Sequence, residues 1–209
     1  MARRPTLLTS TPLPTEPSDI LFWSGGKDSF LTYLTLATTE TPTVLLTTYD
    51  SQTGIIANQD HHIDQVIQQA SHLGLSLIGV PLQPHVEFND LVYPALELVP
   101  QISSLVFGDL HLEHIRSWRE QNFAPLQYPL QFPLWHAEYD ELLTRLEISG
   151  VPCVISAVTE PAEPYLTVGT LFSRASMAAL PPHIDRFGEN GEFHTLAKVW
   201  EAPSLRGGE

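Results

Sequence analysis

Trp23-Ser24-Gly25-Gly26-Lys27-Asp28-Ser29 follows a short apolar run and opens an apolar-periodic segment. Residues 20–23 read as a buried strand, and Phe30, Leu31, Leu34 and Leu36 mark a helix, so the adjacent glycines fall at a strand-to-helix turn. A helix N-terminus carries unpaired N–H donors and about half a positive charge, and glycines let the backbone approach a ligand closely. Such a turn suits an anion. Lys27 adds a full charge, in a chain whose only other lysine is Lys198. Asp28 and Ser29 can orient Mg²⁺ or cap the helix, and an ordinary Gly-Gly turn with a Ser or Asp cap is the plain alternative. The G-x-x-x-x-G-K-[ST] spacing is absent, because the glycines are adjacent and Asp28 follows Lys27.

Outward from this turn the chain alternates strand-like and helix-like stretches. Residues 44–48, 75–80 and 105–107 read as further strands, and residues 63–73 as a helix with Ile63, Val66, Ile67 and Ala70 on one face. Residues 89–99 have helical spacing interrupted by Pro94. Strands separated by helices need crossover connections and form a parallel sheet. The expected fold is therefore α/β: a Rossmann-like, HUP-type parallel sheet flanked by helices, with a small C-terminal lobe. In such sheets ligands lie beyond the carboxyl ends of the strands, which puts residues 24–29, 49–51 and 108–109 on one rim. Beyond Asp109 the pattern predicts a helix over 111–123, a proline-dotted stretch ending at Pro133-Leu134-Trp135, a helix over 138–149, and a strand over 154–158 that closes the sheet. The expected organisation is a flexible tail over 1–18, an ATP-binding domain over 19–130 and a substrate-binding lobe over 131–209.

Composition narrows the class. The chain has 209 residues, 43% hydrophobic and 16% charged, enough for one domain with a substantial core. Its formal net charge of −14 argues against nucleic acid, whose phosphates are bound by clustered Lys and Arg. No 18-residue apolar run reads as a membrane span, and the Pro-, Thr- and Ser-rich start has no signal-peptide core, so the expectation is a cytoplasmic protein, with room for a homo-oligomer. The sole cysteine, Cys153, excludes an internal disulfide and a multi-cysteine zinc site, and its apolar surroundings make it a small core hydrophobe.

Several polar groups fall at chemically useful places. Asp109 follows an apolar strand directly and can serve as a metal or ribose ligand or cap the next helix. Glu113, Arg116, Arg119 and Glu120 are spaced as an ion-pair ladder on one helix face. His61-His62 and His111-x-x-His114 lack a third ligand at a recognisable distance for zinc. Asn190-Gly191 is a hairpin signal, with Phe193, Thr195, Ala197 and Val199 alternating after it. Glu189, Asn190, Glu192 and His194 make the segment dense enough in polar groups to propose a substrate site.

The Ser24–Ser29 hexapeptide resembles the SGGxDS signature of the PP-loop, or N-type, ATP pyrophosphatases. Together with Phe107-Gly108-Asp109-Leu110 running through Arg116-Ser-Trp-Arg119-Glu120, Pro133-Leu134-Trp135, and Gly188-Glu-Asn-Gly-Glu-Phe-His-Thr195, it resembles one branch, the diphthine-ammonia ligase family and its bacterial ATP-binding relatives. The resemblance implies an enzyme that adenylates a carboxylate with ATP, releases pyrophosphate, and lets ammonia displace AMP to leave an amide. It implies ATP and Mg²⁺ as cofactors, and a carboxylate acceptor, on a small molecule or a protein side chain, as partner. By resemblance Ser24, Gly25, Gly26, Lys27, Asp28 and Ser29 hold the phosphates. Lys27, Asp28 and Asp109 act in catalysis, Asp28 and Asp109 hold the metal, and Gly188, Glu189, Asn190 and Glu192 meet the acceptor. The family's D-P-C before GENGE is replaced by Asp185-Arg186-Phe187, so an aromatic ring and a positive charge are expected to border the acceptor pocket. Thiolation of tRNA, another PP-loop activity, fits poorly with one buried cysteine and an acidic chain. A non-catalytic adenine-nucleotide binder or sensor on the same fold is the alternative.

Overall fold

In the computed structural model, which describes residues 4–57 and 59–202, strand β2 (Ser18–Phe22) takes the centre of the main sheet. It pairs in parallel with β3 (Thr43–Asp50) on one side and β5 (Ile102–Val106) on the other. Strand β4 (Ser76–Leu82) extends the sheet beyond β3, and β6 (Leu130–Gln131) extends it beyond β5. These five strands are parallel, and the first of them in sequence lies inside, flanked by later strands on both sides. That arrangement is Rossmann-like and makes a crevice where the chain turns from one side of β2 to the other.

The sheet is covered on both faces, so its central strands are apolar on both sides at their middles. Leu21, Leu45, Leu77 and Val106 face one core cluster, and their neighbours Ile20, Val44, Ile78 and Leu105 face the other. Helices α1 (Lys27–Leu36), α2 (Ile63–Leu73) and α5 (Tyr139–Ser149) supply Phe30, Val66 and Leu142 to the first cluster. Helix α3 (Phe88–Leu96) and Phe123 at the end of α4 (Glu113–Phe123) build the second. Pro94 sits in the last turn of α3 and does not end the helix early. Among the described residues no helix is long and apolar enough to cross a membrane.

Three expectations are corrected. The segment expected to be a flexible tail is in part an edge strand: β1 (Thr6–Leu7) runs antiparallel to β4, and Leu77 N–H donates to Thr9 Oγ1 at 3.1 Å. A Cβ at Gly79 would lie 2.3 Å from Leu8 Cδ1, so a glycine in β4 admits the incoming chain. Residues 1–3 of that segment lie outside the described residues.

The strand expected to close the sheet, β7 (Cys153–Val158), pairs instead with β8 (Phe193–Ala197) in a separate antiparallel ribbon. The sheet edge is taken by β6, two residues of the stretch read as proline-dotted loop. Consequently the alternation after Asn190-Gly191 belongs to β8 pairing with β7, across a long connection and not across that turn. This connection contains helix α6 (Arg174–Ala178), whose Ser173 cap is reciprocal with Ser176.

The boundary drawn at 130/131 does not coincide with a break in the core. Arg145 on α5 donates from Nη2 to Leu31 O and Thr35 Oγ1 on α1, at 2.9 and 2.5 Å. One apolar cluster runs without interruption from Leu21 to Phe187 and Phe193. Residues 203–209 of the expected lobe are outside the described residues.

Candidate functional site

The turn after β2 is held from behind. Ser24 O accepts from His61 Nε2 at 2.8 Å, and Gly25 O accepts from Gln69 Nε2 at 2.8 Å and from Ala197 N at 2.9 Å. In a trans peptide the carbonyl and the following N–H point in opposite directions. Anchoring these two carbonyls therefore turns the N–H groups of Gly25 and Gly26 away from the anchors. Gly25 has φ +83°, and a Cβ there would lie 2.7 Å from Gln69 Oε1, so both backbone conformation and space demand glycine. Gln69 also accepts from Trp23 Nε1 at 2.8 Å, which fixes the orientation of its amide.

Lys27 departs from expectation. Its side chain is only 5% exposed, its Nζ pairs with Asp28 Oδ2 at 2.8 Å, and the rings of Phe187, Phe172 and Phe193 lie 5.2, 5.5 and 5.9 Å away. The ammonium is enclosed between the neighbouring carboxylate and three aromatic faces, an environment that holds a desolvated cation. Lys27 does not line the cleft.

The cleft itself opens at the carboxyl ends of β2, β3 and β5 and has a volume of about 670 Å³. Ser24, Asp28, Ser29, Gly108, Asp109 and Glu189 form one part of its wall. Phe22, Leu46, Ile56, Leu82, Phe88, Ile115 and Trp118 give the remainder an apolar lining, with Thr47, Thr48, Ala57 and Gln59 interspersed. The β3 side of the rim is thus formed by Thr47, Thr48, Ile56, Ala57 and Gln59; residues 49–51 expected there lead into a turn, where Asp50 Oδ1 accepts from the Gln52 and Thr53 N–H groups.

Carboxylates dominate the polar wall. Burial pushes the Asp28 carboxyl above its usual range, against the lowering effect of Lys27, and Asp28 Oδ1 is buried with no hydrogen-bond partner. Burial, reinforced by the Asp28 charge, raises Glu189 to about 8. Asp109 neither caps α4, whose N-cap is Leu112, nor stands free: Arg119 donates from Nε to Oδ2 at 2.5 Å and from Nη2 to Oδ1 at 3.0 Å. This bidentate pair removes Arg119 from the expected ladder, leaving Arg116 with Glu120 at 2.9 Å. The guanidinium carbon of Arg116 also lies 4.8 Å from the ring centres of both Phe132 and Trp135.

The Gly188–Glu192 segment divides its labour. Glu192 is buried, and its two oxygens accept from Asp185 N, Asn190 N and Asn190 Nδ2 at 3.0, 3.0 and 3.1 Å. It is the clamp of the loop. Asn190 is part of the same clamp, and Gly188, at φ +71°, allows the turn where a Cβ would lie 2.7 Å from Phe193 O. Of the four residues expected to meet an acceptor, Glu189 alone lines the cleft. Phe187 does not border it either; the ring is fully buried and stacks on Tyr139 at 4.2 Å. Arg186 lies 5.8 Å over the Tyr139 ring, outside the cleft wall.

Sequence reading missed Tyr139, whose hydroxyl reaches both oxygens of Asp185 at 2.9 and 3.1 Å and whose own ionisation is pushed up by burial. It also missed Gln69, although a glutamine on the otherwise apolar buried face of α2 is a signal for an internal hydrogen-bond role. Trp118 was legible only within the helix over 111–123 and the family-like Arg116–Glu120 segment, and Phe88, just before the helix expected over 89–99, was not singled out. The His61-His62 pair is split by the fold: His61 anchors the glycine turn while His62 Nδ1 caps α2 by accepting from Asp64 N at 3.2 Å. Burial lowers the pKa of His61, and its Nδ1 has no hydrogen-bond partner. Among the described residues no group of three or more His, Cys, Asp or Glu is arranged to hold a metal ion.

No protein-family model matches the chain, and no curated protein matches it. Among solved structures it is similar to a protein described as a predicted subunit of tRNA methyltransferase from Methanocaldococcus jannaschii, at 18% identity, over 68% of this chain and 81% of that one. The TM-score is 0.45.

Proposed function

We propose that the cleft binds ATP with Mg²⁺, and that the chain adenylates a carboxylate and passes the acyl group to ammonia. One observation carries the nucleotide reading: three buried side-chain oxygens without a partner, Asp28 Oδ1, Thr47 Oγ1 and Gln59 Oε1, belong to residues lining this cleft. Buried polar groups are almost always paired, so a set of orphans around one cavity favours a polar ligand. Ser24, Asp28 and Ser29 bring the start of helix α1 to one end of the cleft, where a helix N-terminus suits phosphates, and the apolar wall suits a nucleobase.

Asp28 is the side chain that fits Mg²⁺. The ion binds through one or two carboxylates together with substrate phosphates and retained waters, which needs no protein cage of three ligands. When bound it would neutralise phosphate charge beside the carboxylates of Asp28, Asp109 and Glu189, which otherwise repel it. In the proposed reaction an acceptor carboxylate oxygen attacks the α-phosphorus and the bond to pyrophosphate breaks. Ammonia then attacks the acyl carbon, the bond to AMP breaks, and a proton is released. Glu189, whose carboxyl stays protonated up to about pH 8, can take that proton only in its ionised form, as pH rises through that value.

A non-catalytic nucleotide-binding role is the second reading, and the position of Lys27 favours it. With the lysine turned into the aromatic box, Arg119 is the one Lys or Arg lining the cleft among the described residues, and it is already paired with Asp109. The two readings separate in one experiment. The protein is incubated with ATP, Mg²⁺, ammonium and a panel of carboxylates, and nucleotide products are resolved by ion-exchange chromatography. AMP and pyrophosphate support the ligase; ADP as the only product refutes it. Calorimetric binding of ATP without turnover across the panel supports the second reading, and absence of binding refutes both.

A further inference from the structure

We infer that Trp118 is the residue on which the base of the bound nucleotide stacks, an assignment that rests on the nucleotide reading of the cleft. Helix α4 presents Ile115, Trp118 and Arg119 to the cleft, residues spaced so that they share one helix face. Arg119 on that face is fixed by its pair with Asp109 just beyond the end of β5, which sets the rotation of α4. The indole beside it is 40% exposed, although an aromatic ring of this size gains most from burial. Trp118 thus combines a large, partly exposed planar surface with a place in the wall of the cleft.

The ring is braced. Phe88, at the start of α3, meets it edge-on, with centroids 5.2 Å apart and planes inclined at 62°. Helices α3 and α4 are tied together by Asn89 Nδ2 donating to Asn122 Oδ1 at 3.1 Å and by the Tyr93 hydroxyl donating to Asn122 O. An indole supported at its edge and fixed in orientation loses little freedom when a planar ring is laid on it. That is the condition under which aromatic stacking contributes to affinity. The phosphates would lie at the Ser24–Ser29 wall, and the uncharged heterocyclic end, which gains from apolar burial, goes to the apolar wall. The ligand class read by Trp118 is accordingly a planar heterocycle attached to a polyphosphate. Stacking tolerates any base, so discrimination among bases is left to Thr47 and Gln59 on the other wall.

The test compares ATP with inorganic tripolyphosphate, which has the phosphates and no base. Both are titrated calorimetrically in the presence of Mg²⁺ into the wild-type protein and the Trp118→Ala and Trp118→Phe variants, with circular dichroism verifying the fold. The expected result is an ATP affinity about tenfold weaker in Trp118→Ala, with tripolyphosphate affinity unchanged and Trp118→Phe within about threefold of wild type for both. Unchanged ATP affinity in Trp118→Ala overturns the assignment while leaving the nucleotide reading in place. Equal weakening of both ligands also overturns it, because a packing role would act on the whole cleft. A wild-type protein that binds no ATP refutes the nucleotide reading and this assignment with it.

Discussion

Thr195 Oγ1 accepts the backbone N–H of Lys27 at 3.0 Å across 168 residues of chain. Helix α1 has Gly26 as its N-cap and no side-chain cap of its own, so a hydroxyl from β8 satisfies one of its orphan donors. The same strand receives Gln69 Nε2 at Ala197 O, at 2.7 Å, while Ala197 N donates to Gly25 O. The glycine turn and the β7–β8 ribbon are therefore one hydrogen-bonded unit.

Thr195→Val keeps the side-chain volume and removes the hydroxyl. The buried Lys27 N–H is then unpaired, and unfolding free energy by urea denaturation should fall by about 1–2 kcal/mol. Thr195→Ser should recover most of it. An equal loss in both variants would assign the effect to packing of the methyl group.

Lys27→Met should act first on stability. It leaves the Asp28 carboxylate without its partner in a partly buried site, at a cost of about 2–3 kcal/mol near neutral pH. The Asp28 pKa is already raised by burial, and loss of Lys27 removes the opposing charge. Protonation relieves the penalty, so the deficit relative to wild type should shrink as pH falls. A deficit independent of pH would exclude the carboxylate as its origin.

Glu189 contributes a pH dependence of known sign. Its folded pKa is raised from 4.5 to about 8, so the folded state binds more protons than the unfolded state between those values. The stability it contributes is present below about pH 4.5 and is lost as pH rises through about 8. Glu189→Gln should abolish this loss and leave the ligand-free variant more stable than wild type at about pH 9, by on the order of a few kcal/mol. Thermal denaturation from about pH 4 to 9 measures it; identical profiles would mean that the carboxyl is not desolvated in the folded protein.

Glu192 should behave in the opposite way. Its oxygens hold three N–H donors of the 185–190 turn, so Glu192→Gln forfeits at least one and should lower stability by about 1–3 kcal/mol. Hydrogen exchange should show faster opening of the Asp185 and Asn190 amides. Unaltered exchange would show that the clamp is dispensable.

Cys153 should be inert in the folded protein. Burial pushes its thiol up to about 12, so almost none is thiolate at about pH 8. A disulfide reagent should modify it only as fast as the protein opens, with full and rapid reaction in denaturant. Rapid stoichiometric reaction under native conditions would contradict the buried assignment.

The glycine turn, the parallel core strands and the position of Asp109 at a strand end were legible in the residues alone. Each is a local property, set by periodicity over a few residues or by the φ that only glycine adopts readily. The rule that ligands lie beyond the carboxyl ends of parallel strands also pointed to the rim, where Ser24, Asp28, Ser29, Gly108 and Asp109 line the cleft. The direction of Lys27 was not legible, because three aromatic residues from positions 172, 187 and 193 had to converge on it through long-range packing. The same packing separated Glu192, which clamps a loop, from Glu189, which faces the cleft, although the two stand three positions apart in one motif. The partner of β7 was beyond reach for a related reason. Strand pairing is fixed by which edges remain open once the rest of the chain has packed, and an apolar run carries no record of the strand it will meet.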